Sequence, residues 1–136
     1  MDKSDVIFII MVCLSFGCKK KDEYANYEWH TIEVTATAYN SLSSQTDGDP
    51  HVTAFGDSLY PGLRCIAVSR DLLRLGLKHD IPVRIEGIEH VYLVKDKMHS
   101  RWKKRIDIYM GLNVKAAREW GRRKVSISYG LPPDSK

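Results

Sequence analysis

Asp96 and Asp107 stand eleven residues apart, each inside a short apolar run: Val91-Tyr-Leu-Val-Lys-Asp96 and Arg105-Ile-Asp107-Ile-Tyr-Met-Gly111. Side chains alternate between the faces of a strand, so Asp107 shares a face with Arg105 and Tyr109, away from Ile106, Ile108 and Met110. The same alternation puts Asp96 on the face of Tyr92 and Val94. Two such strands side by side would bring two carboxylates into one cleft. That pairing suits general acid and base work on a sugar linkage. Taken singly the two acids have blander roles, Asp107 as a surface residue paired with Arg105 and Asp96 as a turn-capping acid at a strand end.

The elements that must position these acids are legible as a series of short strands. Thr31–Tyr39 is rich in β-branched residues and reads as a strand. Asn40 to Pro50 is a loop by its Ser, Asp, Gly and Pro content. Pro61-Gly62 turns the chain into an apolar strand at Cys65–Ser69. Asp71–Gly76 is long enough for one or two helical turns. Pro82–Ile85 is a strand, and Gly87 turns it toward the strand ending at Asp96. Asn113–Trp120 is the clearest helix, with Asn113 as N-cap and Gly121 as stop. Lys124–Tyr129 alternates as a closing strand. No internal repeat is visible. Six short strands and one good helix predict an all-β small barrel rather than a doubly wound sheet.

The chain has 136 residues, 43% of them hydrophobic, and a formal charge of +4. That is one compact domain with extra sequence at its ends, and its surplus charge favours anionic partners. The first residues are read as an export signal, in which Val6–Phe16 is an apolar run of 11 residues, too short to cross a bilayer comfortably. Leu14-Ser-Phe-Gly17-Cys18 then resembles a bacterial lipobox, with leucine one place earlier than usual and one Lys against two Asp ahead of it. On this reading residues 1–17 are a signal peptide, Cys18 is lipidated, 18–29 is a tether, 30–131 is the domain and 132–136 a tail. Cys13 leaves with the signal, and Cys65, alone in the mature domain, has no internal disulfide partner.

Several segments, taken in order, resemble the 3D domain, named for three aspartates and found in bacterial cell-wall proteins and in membrane-bound lytic transglycosylase A. They are Ala36-Thr-Ala-Tyr39, Thr53-Ala-Phe-Gly56, Pro61-Gly62 with Ile66-Ala-Val68, the Asp96 strand, Arg105-Ile-Asp-Ile-Tyr109, and Ala116-Ala117 with Trp120-Gly-Arg-Arg123. The arrangement of an acid, a loop, Ile-Asp, a helix and Gly is also similar to the rare lipoprotein A family. The resemblance implies a six-stranded double-psi β-barrel acting on peptidoglycan. It implies Asp107 as the acid/base that forms 1,6-anhydromuramyl ends, with Asp96 in support. Thr53 and Tyr39 match positions near the groove, and Trp102 is a candidate for stacking on a sugar ring. The chain departs from the pattern at two places. Ser69 occupies the usual place of the first aspartate, and the residues after Asp96, Lys-Met-His-Ser-Arg-Trp102, lack the family's glycines. The alternative is therefore a peptidoglycan-binding lipoprotein module without turnover.

Other chemistry finds little support. Arg101-Trp-Lys-Lys-Arg105 has the composition of a nucleic-acid patch, but export removes that partner. His51, His79, His90 and His99 lack metal-ligand spacing, and Asp47-Gly-Asp-Pro50 lacks the rest of a calcium loop. No cofactor is expected. The expected partners are glycan strands and, through the lipid anchor, a membrane of the bacterial envelope, with the protein itself a monomer.

Overall fold

The computed structural model describes residues 21–42 and 51–134. The signal segment, Cys18 and the Asp47–Pro50 turn lie outside them. Among the described residues no helix is long and apolar enough to cross a membrane.

Six strands form: β1 (Glu28–Tyr39), β2 (Cys65–Val68), β3 (Pro82–Ile85), β4 (Tyr92–Lys97), β5 (Arg105–Tyr109) and β6 (Arg123–Leu131). Two short helices join them, α1 (Arg70–Arg74) and α2 (Val114–Trp120). The strands close into a barrel in the order β1-β5-β2-β4-β3-β6. β1 runs parallel to β5 and β2 parallel to β4, while the remaining neighbours are antiparallel. Exchanging β1, β2 and β3 for β4, β5 and β6 maps the set of pairings onto itself with every sense kept. This approximate two-fold arrangement is the double-psi β-barrel expected from the sequence. The symmetry lies in the pairing and leaves no repeat in the residues.

Alternation fills the interior. Ile106 and Ile108 of β5 point inward, as do Ile66 and Val68 of β2, Val94 of β4, Val83 of β3 and Ile127 of β6, all essentially inaccessible to solvent. Each such side chain contributes about 1.5–3 kcal/mol of burial free energy. A second apolar cluster of Leu59, Cys65 and Tyr109 lies beside the first, with Tyr39 and Leu63 against it. Cys65 is fully buried there as a free thiol, and burial pushes its pKa up to about 12.

β1 begins at Glu28, three residues before its β-branched core suggests, because the aromatic residues just upstream pack on the barrel. Trp29 and Tyr27 lie against Gly130, where an added Cβ would meet either ring at 3.1 Å. The Arg84 guanidinium sits 4.0 Å over the Trp29 ring. α2 has the predicted caps: Asn113 Oδ1 accepts from the Ala116 amide at 2.9 Å, and Gly121 ends the helix at φ 64°.

Candidate functional site

Asp107 and Asp96 line one open cleft of about 530 Å³ on the outside of the barrel. The register explains how they come together. Ala67 of β2 pairs with Asp107 on one side and with Asp96 on the other. Neighbouring strands lie about 4.8 Å apart, which separates the two aspartate backbones by about 10 Å across β2. Ala67 faces the cleft between the inward-pointing Ile66 and Val68, and its small side chain keeps the floor between the acids low.

One expectation requires correction here. Regular alternation would put Asp96 on the face of Val94, which is wholly inside the barrel. The register of β2 against β4 instead shifts between Ile66 and Ala67: Ile66 pairs with Val94, but Ala67 pairs with Asp96. Lys95 is therefore the extra residue of a β-bulge, and the strand beyond it presents the opposite face. The bulge turns Asp96 outward into the cleft. It also frees Lys95 to form ion pairs with Asp80 and, at 3.7 Å, with Asp57.

Burial dominates the electrostatics of Asp107, which is half-buried. Loss of water raises its pKa from 3.8 to about 6, against the opposing effects of a hydrogen bond from Thr37 and the Arg105 charge, with the Asp96 charge adding to the rise. Thr37 Oγ1 donates to Asp107 Oδ1 at 3.1 Å. Asp96 is also raised, first by burial, while hydrogen bonds to its carboxylate hold it back. The Ala54 and Lys97 amides both donate to Asp96 Oδ1, each at 2.8 Å.

The Ala54 amide belongs to a turn with a firm attachment. Asp57, at the end of that turn, pairs with His79 and Lys95, and the Phe55 ring packs on His79 with centroids 5.1 Å apart. Thr53 lies inside this turn rather than among the lining residues. Its Oγ1 accepts from the Asp57 amide at 3.1 Å, and its own amide donates to the Asp57 carbonyl. Tyr39 does line the cleft, but its hydroxyl is buried against the Cys65 thiol. Burial drives the phenol pKa far above its ordinary value, so Tyr39 offers ring surface and no proton.

The remaining walls come from α2, through Val114, Ala117 and Arg118, and from the β4–β5 connection, through Met98, His99 and Trp102. Trp102 carries the Arg105 guanidinium 3.9 Å from its ring centroid and that of Arg101 at 4.7 Å. Ser69 is absent from the cleft. It is fully buried, its Oγ accepts from the Arg105 amide at 3.0 Å, and its own amide donates to the Arg105 carbonyl at 2.8 Å. Asp71 continues this clamp by accepting from the Lys104 amide at 2.9 Å, at a residue held at φ 44°. Burial works to raise Asp71, but these hydrogen bonds outweigh it and its pKa is lowered. Ser69 and Asp71 thus fix the start of β5 and set the direction in which Asp107 points.

Sequence reasoning missed Ala67, Thr37, Ala54 and Lys95. Thr37 carries a usable signal, since it is two residues from Tyr39 on the same face of a readable strand. The other three depend on which segments become neighbours, and alternation is silent on that.

No family model matches the chain, and no curated protein matches it. Among solved structures it is similar to an expansin from Clavibacter michiganensis in the apo state, at 16% identity and a TM-score of 0.47. The match covers 79% of this chain and 53% of that one, so the chain spans about half the length of the structure it resembles.

Proposed function

We propose that the cleft is a glycan-cleaving site of the lytic transglycosylase type, acting on peptidoglycan, with Asp107 as its acid and base. The observation that carries this reading is a half-buried carboxyl in an open cleft, raised to about 6 by loss of water. Such a group is protonated in a useful fraction of molecules near neutral pH, which a general acid needs. In this chemistry Asp107 donates its proton to the leaving glycosidic oxygen. The carboxylate then accepts the proton of the muramyl 6-hydroxyl as that oxygen attacks its own anomeric carbon, which regenerates the acid and leaves an anhydro end. Because the nucleophile belongs to the substrate, one carboxyl serves both steps, and the intramolecular attack gains from effective concentration. Asp96, two strands away, keeps negative charge near the developing cation and holds Asp107 up.

The resemblance of the strand motifs to the 3D domain supplies the substrate class, and the lipobox-like Cys18 supplies the envelope location and the membrane anchor. Incubation with purified sacculi, read by mass spectrometry, tests the activity. Anhydromuramyl ends that vanish in Asp107→Asn support the assignment, and their retention in that variant overturns it. Reducing ends without the anhydro bridge would mean hydrolysis by water instead. Palmitate labelling lost on Cys18→Ser tests the anchor.

A second reading is glycan binding without turnover. The bulk of Met98, His99 and Trp102 beside the acids favours it. Co-sedimentation with sacculi and no released product would establish it.

A further inference from the structure

Beside the acids the outer face changes sign. Arg105 is two residues from Asp107 on the same face of β5, about 7 Å along the strand. Its Nε is buried without a hydrogen-bond partner, and its guanidinium stacks on Trp102. Burial lowers its pKa, and the like charges of Arg122 and Arg101 act in the same direction against the opposing charge of Asp107. In the next strand Thr35 pairs with Arg105 on one side and Lys124 on the other, which repeats with cations the arrangement of Ala67 between two acids. A second recess of about 330 Å³ opens there, lined by Lys103, Lys104, Lys124 and Thr35, with Glu33 as its acidic side chain. Among the described residues none of these six cations forms an ion pair. Folding has gathered like charges and desolvated Arg105, and the nearby acids Asp107, Asp71 and Glu33 offset this field only at a distance, without a direct ion pair, so an external anion would relieve the remaining cost.

We infer that this ledge is a subsite for anionic groups borne on the glycan strand, carboxylates or phosphates displaced along the chain from the bond held at Asp107. Trp102 serves it as a platform that orders Arg101 and Arg105, since its ring already carries both guanidinium groups. A planar guanidinium held in this way can grip a carboxylate or phosphate with two parallel hydrogen bonds. The inference rests on the cleft being a wall-glycan site and adds to it a preference for charged strands.

Calorimetric titration of the full chain with three probes tests it. The probes are a neutral chitooligosaccharide, a peptide-free peptidoglycan strand of equal length carrying lactyl carboxylates, and a soluble phosphodiester wall polymer without those rings. The charged strand should bind about tenfold tighter than the neutral one, and the preference should shrink as salt is raised. Arg105→Gln with Arg122→Gln should bring the ratio near one while the neutral strand still binds. Arg122→Gln alone, at an exposed position, should cut the preference in part and guards against misfolding of the double variant. Equal affinity for both strands, or a preference that survives the double substitution, overturns the inference. Arginine-dependent binding of the phosphodiester polymer with neither glycan bound would keep the ledge and remove the wall-glycan reading. Failure of all three probes removes both.

Discussion

At the level of single residues, Asp107 is governed by a contest that burial wins and Thr37 and Arg105 only moderate. Its pKa is about 6 in the barrel and 3.8 in an unfolded chain, so the native state holds the proton more tightly. The stability this contributes is fully present below about 3.8 and lost as pH rises through about 6. Above that the buried charge is a cost, at most about 3 kcal/mol for a shift of roughly two units and less after solvent screening. Asp107→Asn should therefore raise the melting temperature by several degrees at about pH 7.5, with the gain disappearing toward pH 4. An unchanged melting temperature at both pH values would mean that Asp107 is not desolvated. The same titration should give cleavage of sacculi an alkaline limb near pH 6. Thr37→Val removes a hydrogen bond that favours the charged form, so the limb should move to higher pH, and the pH profile of product release measures it. The two acids were legible in the sequence because each interrupts an apolar alternation. Thr37 could be placed only on the face of Tyr39, and Ala67 not at all, since nothing in an alanine says which strand will lie next to it.

Among the elements, the bulge in β4 decides the site. Ile66 pairs with Val94, yet Ala67 pairs with Asp96, and the extra Lys95 converts an inward acid into an outward one. Strand alternation alone placed Asp96 correctly in a strand and incorrectly on a face, because a bulge is a product of pairing and leaves no period of its own. The floor between the acids offers a direct test. Ala67→Leu should fill the cleft and reduce glycan affinity at least tenfold, with circular dichroism of the barrel retained. Unchanged affinity would place the ligand elsewhere. α2 walls the same cleft and depends on its N-cap, so Asn113→Ala should cost about 1 kcal/mol in chemical denaturation and weaken binding together with stability. The helix was readable to its caps because Asn113 and Gly121 are local signals. The start of β1 at Glu28 was hidden, since Glu28 and Trp29 join the strand by pairing with Leu131 and Gly130, far along the chain.

For the whole molecule, the pairing order has a kinetic meaning. Of the strands consecutive in sequence only β3 and β4 are neighbours in the barrel, so nearly every pairing closes a long loop. Refolding from denaturant should accordingly take milliseconds to seconds rather than microseconds, which stopped-flow fluorescence of the tryptophans would measure. The barrel class followed from counting short strands, whereas the approximate two-fold of its pairing could not, because the two halves share a plan without sharing residues. Cys65 carries a separate consequence of closure. Its sulfur is sealed between strands and loop and stays neutral at any physiological pH, so neither oxidants nor thiol buffers can reach it while the barrel is shut. The domain can cross from a reducing compartment into an oxidising one, and back, without its architecture registering the change.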